Sequence, residues 1–119
     1  MRPSLALLVL AALPGTALAR SASCQSVAHC DGATCEPWNS VLKVATRPDG
    51  TATFVWDDGP QVEGVVLEDG ATLMVSSTTA IGTGSLLVLG ESGQATFSTA
   101  TDFGDDLIAG HYTLTCEAT

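Results

Sequence analysis

Two kinds of side chain in this 119-residue chain carry chemistry in a suggestive arrangement: clustered carboxylates and paired sulfur. The carboxylates fall as Asp57-Asp58, Glu68-Asp69 and the run Asp102-Phe103-Gly104-Asp105-Asp106. A calcium ion takes about six to eight oxygens from loops of this kind, so Asp102, Asp105 and Asp106 are candidate ligands. The run departs from the Asp-x-Asp-x-Asp-Gly loop, however, and Asp beside Gly is also what an ordinary tight turn uses. Asp57 and Asp58 follow Trp56 directly and, with His111, are the candidate binding residues. A glycosidase pair would need one acid desolvated in a cleft walled by aromatics. Past residue 19 the aromatics are Trp38, Phe54, Trp56, Phe97, Phe103 and Tyr112, and a core of this size consumes most of them.

The sulfur is Cys24, Cys30, Cys35 and Cys116. His29-Cys30 followed by Cys35 offers imidazole and thiolate, but a zinc site is normally built from two such knuckles and only half of one exists here. Two disulfides are the better reading. Three pairings are formally open. Cys30 with Cys35 is favoured because Asp31-Gly32 between them turns easily, and Cys24 with Cys116 would tie the two ends of the domain together. A bridge around that ~90-residue loop disfavours the unfolded chain by roughly 4 to 5 kcal/mol in the chain-entropy model.

Catalytic signatures are missing from the sequence. It contains no Gly-x-Ser-x-Gly elbow, no Gly-rich phosphate loop ending in Lys-Ser/Thr and no His-Glu-x-x-His. No catalytic residue, no cofactor and no enzymatic activity are therefore expected. His111 falls on the polar phase of the last strand and His29 beside a stapled turn, and both read as surface residues.

The start of the chain reads as a secretory leader: Arg2, an apolar run from Leu5 to Leu13, Pro14-Gly15, then Ala17-Leu18-Ala19 before the expected cut. The apolar run is about half of what a bilayer span requires, so the expectation is an exported protein starting near Arg20, periplasmic or extracellular, from a Gram-negative bacterium. Export to an oxidising compartment agrees with the disulfide reading. Residues 20–119 hold three bases (Arg20, Lys43, Arg47) against all thirteen acids, a formal charge of −10. Nucleic acid and anionic lipid are excluded as partners, because binding either requires clustered Lys or Arg. The same charge favours a monomer.

These groups must be positioned by extended segments. Turn signals recur about every ten residues from Trp38 onward, at Arg47-Pro48-Asp49-Gly50, Asp57-Asp58-Gly59-Pro60, Glu68-Asp69-Gly70, Gly82-Thr83-Gly84, Glu91-Ser92-Gly93 and Phe103-Gly104-Asp105-Asp106. Between them lie seven segments rich in Val, Thr, Leu and aromatics, with an eighth if residues near Ser26 to His29 pair. Ala52, Phe54 and Trp56 share one face of theirs, and Ile108, Gly110, Tyr112, Leu114 and Cys116 one face of the last. Leu86-Leu87-Val88-Leu89 is apolar on both faces, as in a central strand. Gly50-Thr51-Ala52-Thr53-Phe54, Gly70-Ala71-Thr72-Leu73 and Gly93-Gln94-Ala95-Thr96-Phe97 recur at similar intervals, which hairpins of similar length explain.

The fold class that follows is all-β: a single antiparallel up-and-down meander of seven or eight strands, curled into a small disulfide-tied barrel or sandwich. In domain terms, residues 1–19 are leader, 20–37 a Cys-rich N-terminal segment and 38–119 the meander of the same single domain. In such a meander the turns at Asp49, Glu68-Asp69 and Glu91 gather at one end, and Asp57-Asp58 and Asp102 to Asp106 at the other. The expected function is a non-enzymatic binding or structural module with an unspecified protein partner. Two alternatives are an acidic inhibitor of a basic, lysozyme-like hydrolase, and a barrel holding a small apolar ligand.

Overall fold

The computed structural model describes residues 19–57, 59–78 and 82–119. The leader up to residue 18, and Asp58, lie outside them. Nine strands follow in order: β1 (Ser21–Asp31), β2 (Thr34–Pro37), β3 (Val41–Thr46), β4 (Thr51–Trp56), β5 (Gln61–Asp69), β6 (Leu73–Thr78), β7 (Thr83–Leu89), β8 (Gln94–Asp102) and β9 (Leu107–Ala118). From β3 to β9 each strand pairs antiparallel with the next, and β9 returns to pair with β1, so eight strands close into a barrel. The seven segments expected after Trp38 are β3 to β9. Residues 20–37 supply β1 and β2, and β1 is a full wall of the barrel. Its first half pairs with β3 and its second half with β2, which continues β3 along the same edge.

Closure follows from the sequence pattern. Every strand of the barrel turns one alternating set of apolar residues inward, and a closed sheet leaves none of the eight with an open side along its whole length. Phe54, Leu42, Leu73, Leu87, Val44, Val75 and Cys24 are the largest side chains without solvent contact. Of the run expected to lie centrally, Leu87 and Leu89 enter this core, while Leu86 and Val88 lie half-buried on the outer face. Gly64 is required where β5 bends in toward β6: a Cβ there would sit 2.7 Å from the Ser76 carbonyl oxygen and 3.2 Å from the Phe54 ring.

Two β-bulges tighten the curvature, between Ser26 and Ala28 in β1 and between Val66 and Glu68 in β5. The first changes which residues face inward. Simple alternation after Ala22, Cys24 and Ser26 would send His29 outward; the extra residue, Val27, is left exposed and His29 turns in opposite Tyr112.

Both disulfides join residues directly opposite each other on neighbouring strands. Cys24–Cys116 links β1 to β9 across the closing seam over 92 residues of sequence, and Cys30–Cys35 links β1 to β2 over five. These are the pairings the spacing favours. At the seam, Gly93 takes a left-handed φ of 93°, its carbonyl accepts the Cys116 N–H at 2.7 Å, and a Cβ would crowd the Cys116 carbonyl at 3.0 Å. The recurring Gly-led segments now have one cause. β4, β6 and β8 all start from the same end of the barrel, after hairpins of similar length.

The two bridges should contribute unequally. Replacing Cys24 and Cys116 together by Ala should lower unfolding free energy by about 4 to 5 kcal/mol, and the Cys30/Cys35 double variant by about 2, from the sizes of the loops released. Urea midpoints of the two variants beside the oxidised parent check this.

Candidate functional site

The barrel has two unlike ends. One, the Arg20 end, gathers Arg20, the turns at residues 47–50, 70–72 and 90–93, and residues 117–119. The other, the Trp38 end, gathers the β1–β2 hairpin, the β2–β3 connection with Trp38, the turn after Trp56 and the β8–β9 loop at residues 103–106.

Charge is resolved differently at each. At the Arg20 end, Arg20 Nη1 donates to Asp69 at 2.8 Å and to the Gly70 carbonyl at 3.2 Å. Close by, Arg47 donates to Thr51 and Thr53 and reaches Glu63. The Thr51 hydroxyl and backbone N–H both donate to Asp49, at 2.6 and 3.0 Å, and hold its carboxyl below the usual carboxylate range. The Trp38 end carries Asp31, Glu36, Asp57, Asp102, Asp105 and Asp106, and no Lys or Arg among the described residues. Both salt bridges among the described residues use the arginines of the other end.

An aromatic series runs from the core out to this uncompensated end. Phe54 meets Phe97 at 5.4 Å between ring centroids, Phe97 meets Trp56 at 5.8 Å, and Trp56 meets Tyr112 at 4.9 Å. Tyr112 meets His29 at 4.5 Å, and His29 meets Trp38 at 5.6 Å. These separations suit offset and edge-on contacts. The series passes from Phe54, 2 % exposed, to Trp38, 38 % exposed. Gly110 makes room for it, since a Cβ there would meet His29 Nε2 at 3.2 Å and the Cys30 carbonyl at 3.1 Å.

Trp38 is held from both sides of its backbone. Its N–H donates to the Val27 carbonyl at 3.2 Å, and its carbonyl accepts the Ser26 hydroxyl at 2.8 Å. Ser26 Oγ also accepts the Ser40 N–H, and the buried Ser40 hydroxyl donates to Asp57 at 2.7 Å. Asp57 thus serves as the anchor of the β2–β3 connection, with its carboxylate also accepting the Val41 N–H.

The other candidates are scattered around the barrel. His111 faces outward on β9, opposite Cys30 and Ser98, in a shallow external groove with Gly32, Gly84 and Leu86. Asp102 shares the Trp38 end with Asp57, but its carboxylate accepts the Gly104 N–H at 2.8 Å within its own loop. Asp105 and Asp106 are exposed in that loop. Among the described residues no group of three His, Cys, Asp or Glu is placed to hold a metal ion, and Cys30 and Cys35 are bonded to each other. Sequence reading missed His29, Trp38 and Tyr112 as a set. Only the bulge at Val27 brings them together, and it leaves no residue-type signal.

The Arg20 end offers a different surface. A cavity of about 940 Å³ lies in its mouth, over a floor that includes Val44, Leu73 and Leu89 and beside Glu91 and Glu117.

The position of each ring sets its cost of removal. Tyr112→Ala should lower stability by about 3 kcal/mol, as for a large core aromatic, and flatten the near-UV circular dichroism. Trp38→Ala should cost about 1 kcal/mol or less and leave the rest of that spectrum in place, because Trp38 ends the series. Thermal unfolding of the two variants separates a surface aromatic from a structural one. Comparison with protein families, characterised proteins and solved structures returns no match to this chain.

Proposed function

We propose that this chain is an exported, non-catalytic binding module whose Trp38 end docks on a basic protein. The observation that carries the reading is the one-sided charge of that end: six acids with no Lys or Arg among the described residues there, on the same end as a half-exposed Trp38 whose backbone is fixed by two hydrogen bonds. An unneutralised acidic rim speeds encounter with a basic surface and discriminates against acidic ones, and a fixed aromatic supplies contact area at low entropic cost. Inhibition of a basic, lysozyme-like hydrolase is one form such docking takes. Two disulfides, and the absence of any helix among the described residues long and apolar enough to cross a membrane, agree with export, with the periplasm as the proposed compartment.

Calorimetric titration of the oxidised protein against egg-white lysozyme, ribonuclease A and cytochrome c, with an acidic protein as control, tests this. At least one basic protein should bind at ~20 mM salt and at least tenfold more weakly at ~500 mM, where exposed charges are screened within a few ångströms. No binding to any of the three, or affinity unchanged by salt, overturns the reading.

A second reading has its own observation. The middle of the barrel is filled by Phe54, Leu42, Leu73 and Leu87, but the cavity at the Arg20 end has room for a small apolar molecule. If it takes one, the fluorescence of 1-anilinonaphthalene-8-sulfonate or N-phenylnaphthylamine should rise on mixing, and Leu73→Trp, which fills the floor, should abolish the rise. A signal unchanged by that substitution removes this reading.

A further inference from the structure

The β8–β9 hairpin overhangs the wall on its β1 side, while β7 flanks it on the other as far as Thr83–Thr101 and the Asp102 N–H bonded to the Gly82 carbonyl. Its rungs continue through Ala100–Ala109 and Thr101–Ile108 to Asp102–Leu107, whereas the pairing of β9 with β1 stops at Cys30–His111. At roughly 3.4 Å per residue, Leu107 lies about 14 Å past the last β1 rung. Three of the chain's exposed large apolar side chains are concentrated here: Phe103 at 66 % exposure, Leu107 at 70 % and Ile108 at 48 %. Exposed large apolar side chains gathered on one overhanging hairpin are a feature of contact surfaces rather than of ordinary turns.

We infer that this hairpin is the anchor of the docking surface, with Phe103 and Leu107 entering an apolar pocket that is ringed by Lys or Arg on the partner. The inference rests on the proposed function and adds the element and the pocket chemistry. Charge selects the occupant. Asp102, Asp105 and Asp106 surround the apolar tip, and a pocket accepting Phe103 must place something within a few ångströms of those carboxylates. Basic side chains gain from that approach; acidic ones and the anionic headgroups of a membrane are repelled. The tip is also shaped before it binds. The Gly104 N–H donates to Asp102 Oδ1 and the Phe103 N–H to the Asp106 carbonyl, both at 2.8 Å, and Gly104 holds a left-handed φ of 94°. A preformed tip has little freedom left to lose on association.

The apolar and acidic residues take different kinetic parts. The apolar pair governs how long the complex lasts, and the acids govern how fast it forms. The test is binding kinetics on whichever of lysozyme, ribonuclease A or cytochrome c the oxidised protein holds at low salt. Phe103→Ser with Leu107→Ser should weaken binding about 30-fold or more, mainly through faster dissociation. Asp105→Asn with Asp106→Asn should mainly slow association and flatten its salt dependence. Val65→Ser, an exposed apolar control on the barrel wall at 55 % exposure, should change binding less than twofold. All five substitutions in these three variants are at exposed sites, and thermal unfolding verifies that each variant is folded.

Parent-like affinity in the Phe103/Leu107 variant, while the parent binds, overturns the hairpin inference and leaves the basic-partner reading standing. Failure of the parent to bind any of the three basic proteins removes both. Phe103-dependent sedimentation with phosphatidylcholine or phosphatidylglycerol vesicles would reassign the tip to lipid and overturn the inference as well.

Discussion

The seam between β1 and β9 is the constraint on which the rest of this structure depends. It joins strands that lie at opposite ends of the sequence, so it carries the largest loop-closure cost of any pairing in the barrel. Cys24–Cys116 offsets that cost by making the closure covalent, and it does so inside the core, where Cys24 has no solvent contact. With the seam shut, β1 and β9 each gain a second neighbour and the barrel has no full-length edge. Opened, two long strands of 11 and 12 residues would present unpaired backbone to any other chain.

Closure also creates the two ends. In a flat meander the turns would lie along two borders; in a barrel each border becomes a ring, and residues far apart in sequence share it. At the Arg20 end two of the carboxylates are paired with arginine, Asp69 with Arg20 and Glu63 with Arg47, while Glu91 and Glu117 form no ion pair among the described residues. At the Trp38 end the acids face solvent and the aromatic series emerges among them. A fold needs no such asymmetry for stability. Exposed ion pairs contribute little, so distributing the bases evenly would have cost little, and the concentration of unlike properties on opposite ends is what separates a candidate surface from mere acidity.

The architecture is largely legible in the sequence. Alternation in residues 51–56 and 107–116, Gly-containing turns about every ten residues and four cysteines were enough for an antiparallel meander, its seven segments after Trp38, its inward faces and its sulfur pairing. The site was far less legible. Asp57 reads as a candidate binding residue, and its role as an anchor for the β2–β3 connection is not legible in the sequence, because its position beside Ser40 depends on a register between β3 and β4 that spacing alone leaves open. His29 read as a surface residue and instead lies between two rings, because one inserted residue at Val27 reverses the alternation of β1.

Local pattern determined which residues form strands, which side of each is apolar and where the chain turns, because those properties depend on neighbours two to four residues away. The tertiary structure decided how far β9 overhangs β1, which end each carboxylate joins and which rings touch. Those outcomes depend on strand register and barrel stagger, and both are fixed by the summed packing of all eight walls rather than by any single segment.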